Sequence, residues 1–242
     1  MPPRLYSAQA IAGGTLPLPA ETAHHAVRVL RLRAGDEVVL FDGDGGEWPG
    51  VLCEERGLVA ARLGDWCEVE REAPLALTLA QGLAGGDKMD WVVQKAVELG
   101  AAAVQPLQTR RSVVRLAGER AAKREQHWRQ VVVAACEQCG RNRLPEIGPV
   151  TDLADYLAAA RQTGATRLLL SPRGGTPLGA VPRPQGPVVL LIGPEGGLDE
   201  GEEELARLAG FTPIALGPRI LRSETAGLAA IAAIMALWGD FR

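Results

Sequence analysis

Val188-Val189-Leu190-Leu191-Ile192 is the stretch that most narrows what this chain can fold into. Five successive apolar residues cannot form a strand with one face in water. A strand of this kind is buried on both faces, as in parallel sheets covered by helices. It runs straight into Gly193-Pro194-Glu195-Gly196-Gly197, and a helix opens at Asp199. Strand, glycine-rich turn and helix in that order are the repeating unit of an α/β fold.

The surrounding pattern extends the unit. Strands are expected at Leu75–Gln81, Ala102–Leu107, Arg167–Ser171 and Thr212–Leu216. Helices are expected at Asp87–Leu99, Glu119–Cys139, Asp152–Arg161, Asp199–Ala209 and Ser223–Leu237. Met89, Val92, Val93, Ala96 and Val97 recur at helical spacing on one face of Asp87–Leu99. The last helix is apolar on nearly every side from Leu228 to Trp238, so it is expected to be buried all round, with a partner subunit as a natural cover.

Residues 1–72 read differently. Glu37–Asp42 and Glu47–Glu55 flank the turn Gly43-Asp44-Gly45-Gly46, and further strand patterns cover Leu58–Leu63 and Cys67–Glu70. One helix is expected over Ala20–Leu32, opened by Pro19 and closed near Gly35. Short strands with one helix point to a small β-barrel. Ala73-Pro74 is the expected boundary, giving domains 1–72 and 73–242. A length of 242 residues accommodates two such domains.

Several classes fall away. Met1-Pro2-Pro3-Arg4 carries no apolar run, so no signal peptide is expected. The longest uncharged apolar stretch, Ala226–Trp238, is too short to span a bilayer. Four cysteines without an export signal point to free thiols in a reducing cytoplasm. Cys136 and Cys139 form a C-x-x-C, but no second pair and no nearby histidine accompany it, so packing is the expected role and no metal site is assigned. A structural role is likewise expected for His24 and His25 on the first helix.

The net charge of −3 argues against a polyanion partner only as an average. Residues 1–72 hold 7 basic and 12 acidic side chains, whereas Leu107–Arg143 holds 9 basic and 3 acidic ones. That basic segment is a candidate phosphate-facing surface.

In α/β proteins ligands bind beyond the carboxyl ends of the strands. Three Gly/Pro loops lie there: Gly193–Gly197, Ser171–Gly175, and Leu216 through Ala226. None carries G-x-G-x-x-G or G-x-x-x-x-G-K-[ST], so neither a dinucleotide nor a nucleoside triphosphate motif is present. Gly85-Gly86-Asp87-Lys88 resembles a phosphate loop only superficially. Ser223 suits a helix N-cap and Glu224 the positive helix end.

Five segments in order carry a family resemblance: His25–Asp36, Lys88-Met89-Asp90 with Gln94–Gly100, Glu137–Arg143, Gly193–Gly197, and Leu216–Ala226. Together they resemble the 16S ribosomal RNA uridine N3-methyltransferase family of the SPOUT superfamily. The resemblance covers nearly the whole chain. It implies a PUA-like barrel that helps bind RNA, followed by a mostly parallel α/β domain with a deep trefoil knot, one of the rare exceptions to unknotted topology. It implies a homodimer and a target uridine in small-subunit ribosomal RNA. S-adenosyl-L-methionine would be held by Leu170, Ser171, Leu191, Ile192, Gly193, Glu195, Gly196, Gly197, Leu216, Gly217, Ile220, Leu221 and Ser223.

Methyl transfer to a ring nitrogen needs no metal and no covalent enzyme intermediate, but it does need positioning. Uracil N3 carries a proton at neutral pH, so a base or an anion-stabilising group must assist. The catalytic candidates are Arg141, Asn142, Arg222 and Glu224. Arg141, Arg143, Arg219 and Arg222 are available for charge on the uracil oxygens. Glu137, Glu195 and Glu224 are alternative proton acceptors among which the sequence does not choose. Arg4, Arg28, Arg31, Arg33, Arg110, Arg111, Arg143 and Arg173 are candidate RNA contacts. The competing readings are ribose 2′-O-methylation by the same fold class and a non-catalytic RNA-binding protein.

Overall fold

The computed structural model describes residues 2–160 and 164–241. Two units divide it. Unit 1 takes the chain up to Glu72 together with Val133–Leu144; unit 2 takes Ala73–Val132 and the chain from Pro145 onward. Sequence order assigns 133–144 to the second domain, but the structure gives this segment to unit 1.

Unit 1 holds a five-stranded sheet of β1 (Arg4–Tyr6), β2 (Thr15–Pro17), β3 (Glu37–Phe41), β4 (Trp48–Glu55) and β5 (Leu58–Leu63), in the order β1-β3-β4-β5-β2. Only β1 and β3 pair in parallel. Leu5, Ile11, Leu18, Ala26, Val38, Leu40, Leu52 and Ala61 form its core.

Two expectations for this region change. The helix expected over Ala20–Leu32 is an α-helical turn, α1 (Ala20–His24), followed by a π-helical turn at His25–Val29. Arg31 then takes a left-handed φ of 59°. Of these turns only Ala26 is buried, while Val27, Val29 and Leu30 face out, so no apolar stripe holds a longer helix on the core. The strand expected at Cys67–Glu70 is reduced to one bridge, Glu47 to Cys67. Side chains bind that segment instead of a ladder: Asn142 Nδ2 donates to the Val69 carbonyl at 2.6 Å. Glu70 Oε1 accepts the Gly46 N–H at 3.2 Å.

Unit 2 alternates as expected. Its strands are β6 (Leu77–Gly82), β7 (Ala103–Gln108), β8 (Glu146–Ile147), β9 (Thr151–Asp152), β10 (Thr166–Leu170), β11 (Thr176–Pro177), β12 (Val188–Ile192) and β13 (Thr212–Ala215). Its helices are α2 (Lys88–Glu98), α3 (Gly118–Cys139, whose last part belongs to unit 1), α4 (Leu153–Ala160), α5 (Glu200–Leu208) and α6 (Ser223–Trp238). The expected end of α4 at Arg161 lies outside the described residues.

The strand order is β11-β13-β10-β12-β6-β7-β8, with β9 beside β7, and every pairing is parallel. β12 sits between β10 and β6, with Leu190 in register with Leu168 and Leu79. This interior position is why Val188–Ile192 contains no polar residue. Behind the sheet, Leu107, Leu153, Leu157, Leu169, Leu191, Leu198, Ala206 and Phe211 share one core. α5 starts on a capping box: Asp199 accepts the Glu202 N–H at 2.8 Å, and Glu202 Oε2 accepts the Asp199 N–H at 3.0 Å.

α6 is not buried all round within this chain. Ala226, Gly227, Ala230, Ile231, Ile234, Met235 and Trp238 are buried. Leu228, Ala229, Ala232 and Ala233 are half-buried, and Ala236 and Leu237 are exposed. Among the described residues no helix is long and apolar enough to cross a membrane, and all four cysteines are free thiols.

Candidate active site

β10, β12 and β13 are neighbours in the sheet, so the loops leaving their carboxyl ends converge. They enclose a cavity of about 540 Å3, within the usual range for a small-molecule site. Its walls are apolar at Leu169, Leu170, Ile192, Leu198, Leu216 and Leu221. Three carboxylates line it as well: Glu195, Glu203 and Glu224.

The glycines of the β12 loop have distinct reasons. A Cβ on Gly193 would lie 2.8 Å from the Leu198 nitrogen, so the loop closes on its own backbone there. A Cβ on Gly196 would meet Arg111 Cβ at 3.1 Å. Gly196 therefore makes room for Arg111, whose guanidinium donates to the Gly196 carbonyl at 3.0 Å, rather than for a ligand in the cavity.

Ser223 is not the N-cap of α6. Arg222 takes that position without a side-chain cap bond. The buried Ser223 hydroxyl donates to the Gly193 carbonyl at 2.7 Å and accepts from Gln81 Nε2 at 3.0 Å. It thereby ties the start of α6 to the ends of β12 and β6.

Polar satisfaction separates the three carboxylates. Glu195 Oε1 accepts the Gly85 N–H and the Lys88 ammonium, each at 3.0 Å. Burial works to raise its pKa, but these bonds and its own backbone N–H hold it below the ordinary carboxylate value. Glu203 is almost fully buried and faces Ser171 Oγ at 3.4 Å, Arg207 at 3.5 Å and Arg173 at 3.7 Å. Glu224 Oε1 lies 3.9 Å from Lys88 Nζ, while its Oε2 is buried with no hydrogen-bond partner among the described residues.

Of the residues assigned to the cofactor from sequence, Leu170, Ser171, Ile192, Gly193, Glu195, Gly196, Gly197, Leu216, Gly217, Ile220, Leu221 and Ser223 line this cavity. Leu191 does not. It is fully buried in the core with Leu107 and Leu169, because alternate residues of a strand point to opposite faces. Arg222 and Glu224 line the cavity too.

Arg141 and Asn142 are not among its lining residues; they belong to unit 1 and are buried there. Arg141 is engaged bidentately by Glu72, through Nε at 3.0 Å and through Nη2. Asn142 bonds Arg4, Glu47 and Val69. Their donors and acceptors are used in holding unit 1 together. Arg4, a candidate RNA contact, is 6% exposed and bonded to Glu47 at 2.6 Å.

Arg28, Arg31, Arg33, Arg110, Arg111, Arg143 and Arg173 are exposed. Five arginines of the basic segment nevertheless have acidic partners: Arg110 with Asp199, Arg124 with Asp90, Arg129 with Glu125, Arg141 with Glu72 and Arg143 with Glu70. Its field is weaker than its composition indicates.

Two charged lining residues were not assigned from sequence. Lys88 lies in the Lys88-Met89-Asp90 motif, but its reach to Glu195 in the β12 loop and Glu224 in α6 is tertiary. Glu203 is one of three successive glutamates, Glu202–Glu204, a pattern that reads as a solvated helix face.

A parallel α/β sheet whose strand-end loops close a glycine-rich cavity, in a chain that also holds a five-stranded antiparallel-rich sheet, fits a two-part RNA methyltransferase of the SPOUT class, and the comparisons establish that class. Residues 71–235 match the RNA methyltransferase domain family, and residues 18–56 match the RNA methyltransferase PUA domain family. The chain belongs to the ribosomal RNA small subunit methyltransferase E family. It is 35% identical over 234 residues to the Bacillus subtilis ribosomal RNA small subunit methyltransferase E, covering 91% of this chain and 89% of that protein. It is 34% identical to the Synechocystis protein of the same name, covering 94% and 75%. The fold matches the Neisseria gonorrhoeae ribosomal RNA small subunit methyltransferase E, crystallised with S-adenosyl methionine, with a TM-score of 0.92, 40% identity and full coverage of both chains.

Proposed function

We propose that this chain methylates N3 of a uridine in small-subunit ribosomal RNA, using S-adenosylmethionine. The observation that carries the reading is the cavity closed by three strand-end loops, with a buried Glu224 oxygen that lacks a donor among the described residues. Barrel and α/β domain serve as RNA-binding and catalytic domains respectively, the three loops being threaded in the knot that characterises the class.

The residues present fit the cofactor. Apolar side chains and close-approaching loop backbone suit an adenine, and the carboxylates suit a ligand with positive charge. Leu170, Ile192, Leu216 and Leu221, with the backbone of Gly193–Gly197 and Gly217, would hold it. When bound, S-adenosylmethionine supplies an electrophilic methyl group on a sulfonium.

The chain's own residues then have two tasks. Glu224 accepts the N3 proton. A buried acceptor left without a donor costs about 1–3 kcal/mol, and the uracil N3–H supplies the missing donor. Glu195 is already occupied by Gly85 and Lys88, and Glu137 accepts the Tyr6 N–H in unit 1 at 2.9 Å. Arg222, exposed at the cavity rim, balances charge that develops on a uracil oxygen. Arg28, Arg31, Arg33, Arg110, Arg111, Arg143 and Arg173 contact RNA phosphates, and the half-covered face of α6 packs on a second copy of the chain.

The test is nucleoside mass spectrometry of small-subunit RNA incubated with the protein and S-adenosylmethionine. One N3-methyluridine per RNA is the expected product. A ribose methyl would point to 2′-O chemistry, and RNA binding without methylation to the non-catalytic reading; either result overturns the proposal.

A further inference from the structure

Lys88 opens α2, at the end of the loop that leaves β6. Its ammonium lies between two carboxylates carried by different elements: Glu195 of the β12 loop at 3.0 Å and Glu224 of α6 at 3.9 Å. The Glu195 contact is itself anchored, because the same oxygen accepts the Gly85 N–H at 3.0 Å. Arg124 Nη2 holds the loop from the other side through the Gly86 carbonyl at 3.4 Å. The ammonium is therefore fixed on one side and faces Glu224 on the other.

Chemistry follows from this geometry. An ammonium that faces one oxygen of a carboxylate attracts that oxygen and restrains rotation of the group. An ionised carboxylate is the form that accepts a proton. With Oε1 toward Lys88, the partnerless oxygen is Oε2.

We propose that Lys88 is a positioning residue for methyl transfer: braced by Glu195, it keeps Glu224 turned so that Oε2 meets the uracil N3–H. Glu195 is then the brace of Lys88, not a second base. The proposal rests on Glu224 being the proton acceptor. The charged groups that surround the trio are Arg219 and Arg222 from the β13 loop and Glu203 from α5, all lining the same cavity.

The experiment compares wild type, Lys88→Met, Lys88→Arg, Glu195→Gln, the Lys88→Met/Glu195→Gln double variant and Glu224→Gln in the full chain. It measures kcat and KM for small-subunit RNA against pH, and S-adenosylmethionine affinity by calorimetry. Lys88→Met should lower kcat about 10- to 100-fold at neutral pH, the scale of a misplaced reacting group, and leave cofactor affinity within about twofold. Both kcat and kcat/KM should fall together, the sign of an interaction made in the transition state. Lys88→Arg, which keeps a cation facing Glu224, should restore most of kcat. Glu195→Gln should lower kcat in the same direction, and the double variant should be no worse than Lys88→Met alone.

An unchanged kcat in Lys88→Met, no rescue by Lys88→Arg, or a fall in cofactor affinity with kcat intact overturns the role of Lys88 while leaving Glu224 in place. Full kcat in Glu224→Gln overturns the proton-acceptor reading itself, and the Lys88 proposal with it.

Discussion

The buried polar residues of unit 1 and those around the unit 2 cavity come from the same few types, yet they end differently. In unit 1, Arg4 meets Glu47 and Asn142, Asn142 also bonds Val69, Arg71 shares Glu47, and Arg141 is taken by Glu72. The carboxylates there are matched by cations. Around the cavity, Lys88 serves two carboxylates at once and one Glu224 oxygen has no partner among the described residues. In unit 1 the buried atom left over is a donor, Arg4 Nε, on a guanidinium whose other nitrogens are bonded. A matched network holds a fold together, whereas a buried carboxylate oxygen without a donor marks where something else must arrive. Charge and residue type do not distinguish the two regions; a carboxylate left with a free acceptor does.

The strongest way to break that contrast is at Glu224. Glu224→Gln keeps the shape and removes the base, so kcat should fall about 100- to 10,000-fold, the usual contribution of a positioned general base. The melting temperature should stay near that of wild type. Loss of cofactor affinity with little change in kcat would instead make the cofactor the donor that Oε2 awaits. Calorimetry beside steady-state kinetics separates the two.

The opposite signature is expected in unit 1. Arg4→Ala leaves Glu47 and Asn142 without their buried partner, and breaking a buried pair costs about 3–5 kcal/mol. For a chain of this size that corresponds to a fall of roughly 6–20 °C in melting temperature. S-adenosylmethionine affinity of the folded protein should not change. If Arg4→Ala melted like wild type but bound RNA more weakly, Arg4 would be an RNA contact after all.

A smaller effect is expected at Arg222, which is exposed at the rim and makes no charged contact within 4 Å among the described residues. Solvent weakens its field, so Arg222→Ala should lower kcat about tenfold, less than a fully enclosed anion-stabilising donor. An equal loss in cofactor affinity, with kcat kept, would move Arg222 to the cofactor.

Much of unit 2 was legible because its signals are local. Val188–Ile192 is apolar along its whole length, each strand-end loop is marked by glycine and proline, and a helix opens at Asp199. The cavity lining follows once the strands are known to be parallel. What escaped was tertiary. Arg141 and Asn142 lie in a motif rich in arginine, and nothing local says that Glu72 and Arg4 consume them. Leu191 is adjacent to Ile192 in sequence but points to the other face of β12. The π turn after His24 depends on whether a helix finds a face to pack on, and Val133–Leu144 joins unit 1 across a long sequence separation.

The finest test lies inside unit 1, where two carboxylates respond to pH with opposite sign. Burial pushes both upward. Hydrogen bonds from Arg4, Arg71 and Asn142 reverse this at Glu47 and hold it below its ordinary value of 4.5. At Glu137 burial wins over the single Tyr6 N–H, and its carboxyl is raised above 4.5. A lowered carboxyl contributes stability above its unfolded value and loses it as pH falls through the folded one. A raised carboxyl contributes below its unfolded value and loses that contribution as pH rises through the folded one. Thermal melts of the full chain from neutral pH to about pH 3 should therefore lose part of their acid limb in Glu47→Gln, which should also melt lower at neutral pH. Glu137→Gln keeps an acceptor for the Tyr6 N–H and removes the buried charge, so at neutral pH it should melt at or slightly above wild type. If Glu137→Gln melted well below wild type at neutral pH, its ionised carboxylate would be supporting unit 1 rather than opposing it, and the closed network would extend one residue further than the hydrogen bonds show.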